Sequence, residues 1–407
     1  MKTNRIYPRI SITGKGAAAL SRGHVWVYDT EVSEVSGAPE NGDIVDVMHK
    51  NTYMGTGFYS EKSKIRVRII SDNANDRFDA DFFRRRIKYS IDYRKSVMGS
   101  DINCCRLIFG EADRFPGLVV DRFENILVTQ ITSFGIEKIK PMLFPLIMET
   151  LEENDIHCEG IYERNDIAVR EKEGLMQSKG WFLHKGSCAP SCDVIISENG
   201  IKYHVDIENG QKTGFFLDQK YNRRVVASIA QGKRVLDCFT HTGSFALNAA
   251  NSGAESVTAV DISSDALACA EKNARLNHLD SKIDFVNADV FDYLTELAAS
   301  GRKPYDMIIL DPPAFTKSKK TASFAYRGYK DINFRAMKAL PRGGFLATCS
   351  CSHFMEKESF SGMLLAAAKD AAVSLREVEI RKQACDHPIL PCVPETEYLK
   401  FHIYQVV

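Results

Sequence analysis

The chain has no surplus of charge of either sign: 53 lysines and arginines stand against 53 aspartates and glutamates. Broad, sequence-blind binding of nucleic acid rests on excess positive charge, so any such contact has to come from a local basic face. Long apolar runs are missing too. No stretch approaches the roughly 20 apolar residues that span a bilayer, and residues 1–9 lack the apolar core of a secretion signal. The expectation is a cytoplasmic protein without membrane contact. The 11 cysteines contain no Cys-x-x-Cys pair; Cys104 and Cys105 are adjacent, and Cys349 and Cys351 are separated by one residue. No tetrad of zinc ligands can be assembled from such spacings, so no metal is expected, and the thiols are expected to stay reduced. What remains is an ordinary globular balance, 44% hydrophobic and 26% charged, over 407 residues. That length calls for two or three domains.

Residues 1–73 carry short apolar or alternating stretches at 9–12, 25–28, 43–48, 53–58 and 65–70, with Gly23, Gly37, Gly42, Asn51, Gly55 and Gly57 among them. Short strands with close turn signals predict a small β-barrel, interrupted by one helical segment at 16–22. After a polar linker, residues 74–188 mix both periodicities. A basic helix is predicted at 82–98, a hairpin at 118–121 and 126–131, a helix at 136–151 weakened by Pro141 and Pro145, and a strand at 160–163. This is an α+β pattern. Residues 189–407 alternate strand and helix, with strands expected at 234–237, 256–261, 283–287, 307–311, 345–349, 375–381 and 399–406. That alternation is the signature of a Rossmann-like, doubly wound α/β sheet. The last two strands have no helix-length segment between them and are expected to pair antiparallel.

Ligands of open α/β sheets bind at the carboxyl ends of strands. The run Val235-Leu236-Asp237-Cys238-Phe239-Thr240-His241-Thr242-Gly243-Ser244-Phe245 reads as strand, tight loop and helix start, and Asp261 closes the next strand 24 positions after Asp237. Two cofactor classes fit that outline. A dinucleotide wants GxGxxG, so that the backbone can approach a pyrophosphate. Here there is one glycine, Gly243, and an acid that would repel a pyrophosphate. S-adenosylmethionine (SAM) has no pyrophosphate and carries an ammonium that a carboxylate attracts, so the loop favours SAM. Asp261 suits the ribose hydroxyls and Asn287-Ala288-Asp289 the adenine side. The plain alternative for Asp237 is a strand-end or helix-cap residue.

Asp311-Pro312-Pro313-Ala314-Phe315 ends the fourth strand of this region. Two prolines fix φ and donate no hydrogen bonds, so the carboxylate is held at a rigid corner, suited to a base with an exocyclic amine. The fifth strand ends Thr348-Cys349-Ser350-Cys351-Ser352-His353. A thiolate there can add to C6 of a pyrimidine and make C5 nucleophilic, which needs one exposed cysteine of low pKa. Either cysteine could instead be a small buried strand residue; Cys351 stands farther out. Asn209-Gly210-Gln211-Lys212-Thr213-Gly214-Phe215-Phe216-Leu217-Asp218-Gln219 fits a loop over a ligand, with Gln219 and Asp218 toward the cofactor and Lys212 toward phosphate or substrate; a capped helix start is the plainer reading.

At these residues the chain resembles the RlmI-type bacterial large-subunit rRNA cytosine-C5 methyltransferases, over nearly its whole length. Lys15-Gly16 and Gly23-His24-Val25-Trp26-Val27-Tyr28 are similar to a PUA domain, a small RNA-binding barrel. Phe109-Gly110-Glu111-Ala112-Asp113 and Phe115-Pro116-Gly117-Leu118-Val119-Val120-Asp121 look like the family's central domain. The resemblance implies a class I methyltransferase domain using SAM, an RNA substrate such as 23S rRNA, and a homodimer. It implies Cys351 as nucleophile and Asp311 facing the cytosine. The expected cofactor residues are Gln219, Asp237, Phe239, Thr242, Gly243, Asp261, Ile262, Asp289, Asp311 and Pro312, and the expected RNA contacts Lys212, Pro313, Phe315, Lys15 and Arg22. Other RNA cytosine-C5 enzymes carry a second cysteine where this chain has Pro313. Two other readings stay open: methylation of a guanine at N2 or N7, which needs no thiolate, and an inactive RNA-binding module, against which the intact acids Asp237, Asp261 and Asp311 speak.

Overall fold

The computed structural model describes residues 5–316 and 321–407, without the side chain of Ala322. The contacts divide the chain into two compact units, one of residues 1–196, 205–217 and 385–396, the other of 197–204, 218–384 and 397–407.

The first unit holds two sheets. One has six strands: β1 (Arg9–Ile12), β2 (Trp26–Tyr28), β3 (Val32–Ser36), β4 (Ile44–His49), β5 (Thr52–Tyr59) and β6 (Ile65–Ser71), in the order β2-β6-β5-β4-β1-β3, with helix α1 (Gly14–Ser21) after β1. Strand side chains alternate between faces, and Ile10, Ile12, Val25, Val27, Val45, Val47, Val67 and Ile69 accordingly form one buried cluster. The other sheet follows α2 (Ala80–Met98). Its strands are β7 (Cys104–Phe109), β8 (Leu118–Phe123), β9 (Ile126–Ile131), β10 (Gly160–Arg164) and β11 (Lys179–His184), in the order β11-β10-β9-β8-β7. Helix α3 (Phe134–Glu152) joins β9 to the parallel β10. It runs unbroken through Pro141 and Pro145 because Ile136, Leu143, Phe144, Ile147 and Leu151 are buried on it, and tertiary burial outweighs two missing backbone hydrogen bonds. Five of the six cations of α2 are engaged within the protein: Arg84 by Glu149 and Glu153, Arg85 by Asp76, Lys88 by Asp92, Arg94 by Asp113 and Lys95 by the Asn154 carbonyl. That helix is thus largely a set of internal ion pairs. A two-stranded sheet, β12 (Asp193–Glu198) and β13 (Ile201–Asp206), comes next in the chain.

The second unit is built on α4 (Lys220–Ala230), β14 (Arg234–Cys238), α5 (Ser244–Asn251), β15 (Ser256–Asp261), α6 (Ser264–Leu276), β16 (Ile283–Asn287), α7 (Val290–Ala299), β17 (Met307–Leu310), α8 (Ala322–Ala339), β18 (Phe345–Ser350), α9 (Lys357–Asp370), β19 (Leu375–Arg381) and β20 (Lys400–Val406). The sheet order is β16-β15-β14-β17-β18-β20-β19. The first five strands are parallel, and β20 runs antiparallel to both neighbours. The expected terminal antiparallel pair is present, with β20 inserted between β18 and β19. Leu236, Ile308, Leu310 and Leu346 are fully buried against Tyr329, Ile332, Met337, Phe360 and Leu364, as strands covered on both faces require. The strand order reverses between β14 and β17, and a crevice at such a switch point is where a doubly wound sheet binds its ligand.

Candidate active site

Asp237 lies at the carboxyl end of β14 and is completely buried. Its Oδ2 accepts the Thr240 hydroxyl at 2.6 Å and the Ala246 backbone N–H at 2.9 Å. Its Oδ1 is buried without a hydrogen-bond partner among the described residues. Burial pushes the carboxyl up to about 7; the nearby charges of Asp311 and Asp261 add to this, and the Thr240 and Ala246 hydrogen bonds oppose it. A buried oxygen with no donor is a vacancy that the α-ammonium of SAM can fill, so the residues present fit that cofactor.

The loop after β14 is bent by left-handed backbone at Phe239 (φ 61°), His241 (φ 52°) and Gly243 (φ 79°). Gly243 precedes α5 as its N-cap, and a Cβ there would stand 3.0 Å from the Ala270 Cβ. Asp261, at the end of β15, clamps the loop: its Oδ2 accepts the His241 N–H and its Oδ1 the Ser263 N–H, both at 2.9 Å. Asn273 donates to the Thr242 carbonyl at 3.1 Å. Ile262 is 69% exposed, and Asn287 donates to the carbonyls of Asp261 and Ile262. Asp289 caps α7, accepting the Phe291 and Asp292 N–H groups through Oδ1.

Asp311 follows β17 directly. Its Oδ1 accepts the Cys349 thiol at 2.7 Å and the Gln219 amide at 3.2 Å, and the same amide lies 3.4 Å from the Cys349 sulfur. Gln219 is buried and is fixed in turn by Asn222, whose amide reaches its Oε1 at 2.7 Å. Cys349 is fully buried, and burial pushes its thiol well above the ordinary cysteine range, with the Asp311 charge adding to the effect. Cys351, one residue past β18, is half-buried. Pro312 is buried and Pro313 exposed, while Phe315 packs against Tyr329 and Phe291, with ring centroids 4.5 and 5.8 Å away.

Gln219, Asp311 and Cys349 are therefore in direct contact, and Asp237 and Asp261 hold one loop between them. The expected RNA residues are spread differently. Lys15 is 85% exposed beside Glu31, and Arg22, at the C-cap of α1, is exposed. Lys212 belongs to the first unit, has a left-handed φ of 53° and sits over the Phe216 ring; the neighbouring Thr213 donates to Asp121 at 2.6 Å. Sequence reasoning missed Asn222, Asn273, Tyr398, which donates to Asp218 at 2.6 Å, and Lys400, whose Nζ donates to the Ser352 carbonyl. The one available signal for Lys400 was its place between Leu399 and Phe401 at the start of an expected strand. Among the described residues no cluster could hold a metal ion, and no helix is long and apolar enough to cross a membrane.

Residues 181–402 match the family of S-adenosylmethionine-dependent methyltransferases, and residues 10–72 match a PUA-like domain. A protein of Shewanella denitrificans named ribosomal RNA large subunit methyltransferase I is 42% identical, the match covering 96% of this chain and 98% of that protein. One of the same name from Aeromonas hydrophila is 42% identical, with 94% and 95% covered. Among solved structures, a provisionally assigned methyltransferase in complex with SAH superposes with a TM-score of 0.83 at 22% identity, covering 98% of this chain and all of that one. That last likeness shows a shared fold, and the relatives and the matched family show more: the chain belongs to the ribosomal RNA large subunit methyltransferase I family of SAM-dependent methyltransferases.

Proposed function

We propose that this chain methylates C5 of a cytosine in large-subunit ribosomal RNA, with Cys351 as the attacking thiol. The observation that carries this reading is the contrast between two cysteines. Cys349 is buried, bound to Asp311 and held protonated, whereas Cys351 is half-buried just past the strand end. The names of the relatives support ribosomal RNA as the substrate.

Cytosine C5 is a weak nucleophile. The Cys351 thiolate adds to C6, and the electron pair displaced from the C5–C6 bond makes C5 enamine-like. SAM supplies the electrophilic methyl group on its sulfonium. With C5 methylated, a base such as solvent water would take the C5 proton, which restores the C5–C6 double bond and expels the thiolate. Asp311 accepts from the exocyclic amine and orients the ring. Asp237 would hold the SAM ammonium, Asp261 the ribose hydroxyls and Asp289 the adenine side, with Gln219, Phe239, Thr242, Gly243, Ile262 and Pro312 around the cofactor. Pro313 and Phe315 border the target base, and Lys15, Arg22 and Lys212 meet RNA phosphates. A cytoplasmic setting is part of this reading, and the family resemblance supports a homodimer, which sedimentation would test.

The experiment is to map 5-methylcytosine in ribosomal RNA with and without the protein and with Cys351→Ala. The substitution is expected to abolish the modification. Near-normal methylation by Cys351→Ala would refute the reading in favour of a guanine nitrogen, whose methylation needs no thiolate.

A further inference from the structure

Strand β20 lies inside the seven-stranded sheet, and Phe401, Ile403 and Val406 on it are fully buried. Lys400 is the first residue of that strand. It pairs with Ser350 of β18, and the residue is 5% exposed. Its Nζ donates to the carbonyl of Ser352 at 2.6 Å and to that of Tyr398 at 2.7 Å. An ammonium has three N–H donors, so these two neutral carbonyls leave one. Among the described residues no carboxylate forms an ion pair with Lys400. Burying a cation without a counter-charge is unfavourable unless something is gained by it.

The groups that face this lysine narrow what that gain can be. Burial lowers the Lys400 ammonium to about 8, and Cys351, Cys349 and Glu397 oppose the shift, Cys351 most. Glu397 is taken up by Lys382 at 2.7 Å. Cys349 is committed to Asp311. Tyr329, from α8, faces both thiols, and the Tyr398 ring lies 5.5 Å from His353. Cys351 lies between Ser350, which pairs with Lys400, and Ser352, whose carbonyl the ammonium holds, so its thiolate is placed to present a negative charge to this lysine.

We infer that Lys400 is a positioning residue for Cys351: it pins the chain just after the thiol through the Ser352 carbonyl, and its ammonium stabilises the thiolate. The inference rests on Cys351 as the nucleophile, and it supplies that thiol's anionic form with a counter-charge. The thiolate is the reactive form of a cysteine, and a nearby cation lowers the pH at which it forms. The same pairing holds the lysine charged, so the thiolate–ammonium pair persists until pH rises through the lysine's own titration.

The test is the pH profile of Cys351 alkylation by iodoacetamide in the full chain, read at the Cys351 peptide by mass spectrometry, with the buried Cys349 as internal control. Neither RNA nor SAM takes part, so the outcome is separate from that of the methylation assay. Lys400→Gln keeps donors for both carbonyls and removes the charge; Lys400→Arg keeps the charge. The glutamine variant is expected to shift the profile to higher pH and to label about tenfold more slowly at pH 7, with the arginine variant near wild type. A glutamine profile that superimposes on wild type overturns the inference. If the glutamine protein does not fold, the arginine variant decides: a profile displaced to higher pH despite the retained charge overturns the inference, and an unchanged one supports it.

Discussion

The Cys349 thiol donates to Asp311 Oδ1 across 2.7 Å, joining the ends of β18 and β17 inside the site. Burial and the Asp311 charge raise that thiol's pKa, so under the proposed assignment it serves as a bracket for the carboxylate and Cys351 attacks. Replacing Cys349 by alanine is expected to lower kcat about fivefold to tenfold, the cost of one lost hydrogen bond that orients a reacting group, with SAM affinity unchanged. Steady-state kinetics beside Cys351→Ala would check this; a complete loss in Cys349→Ala with activity retained in Cys351→Ala would reverse the two roles.

Asp237 predicts a pH dependence of stability. Its folded-state value of about 7 lies above the ordinary 3.8, so the ligand-free fold favours the protonated acid. That contribution is complete below about pH 4 and is lost as pH rises through 7. Thermal melts of the ligand-free protein should therefore decline across this window, and Asp237→Asn should flatten the decline. SAM should bind more tightly as Asp237 ionises, and calorimetric titration of Asp237→Asn should show at least about tenfold weaker binding, the worth of one charge-assisted hydrogen bond. A pH-independent SAM affinity would contradict the ammonium contact.

Gly243 combines a φ of 79° with a 3.0 Å approach of any added Cβ to Ala270. Gly243→Ala is expected to cost about 1–2 kcal/mol of stability from the left-handed backbone alone, with further loss from the contact. Denaturant unfolding measures the first effect. SAM affinity should fall with it, because the same loop carries Thr242.

If Lys15 and Arg22 meet RNA phosphates, binding must weaken as salt rises. Each phosphate contact adds about 0.7–0.9 to the slope of log affinity against log salt. The double alanine variant should lose up to about twice that amount, measured by fluorescence anisotropy with a ribosomal RNA fragment. An unchanged slope removes these residues from the interface.

Much of the catalytic unit was legible because its chemistry sits at strand ends. Asp237, Asp261 and Asp311 close apolar runs, and a period of strand and helix locates such ends without knowledge of contacts. The antiparallel partnership of the last two strands was legible for a similar reason, the lack of helix-length sequence between them. What escaped depends on pairing across the chain. The strand Asp193–Glu198 was hidden because its inward positions include Glu198, a carboxylate buried only because Arg223 meets it at 2.7 Å. The strand Val32–Ser36 lies at the sheet edge and is mostly exposed, so it shows no clean alternation. The helix expected over 136–151 was legible, and it runs through Pro141 and Pro145 because burial of its apolar face outweighs local propensity. Lys400 reads as a solvent-facing residue until β20 is known to have neighbours on both sides.

The insertion of β20 between β18 and β19 also sets an order of events during synthesis. Strand β19 precedes β20 in the chain yet pairs with the sheet only through β20, so until β20 inserts, β18 presents an open edge. Exposed edges of that kind recruit stray strands. The same strand brings Lys400 to the Ser352 carbonyl, so if Lys400 stabilises the Cys351 thiolate as inferred, closure of the sheet and activation of the thiol are one step.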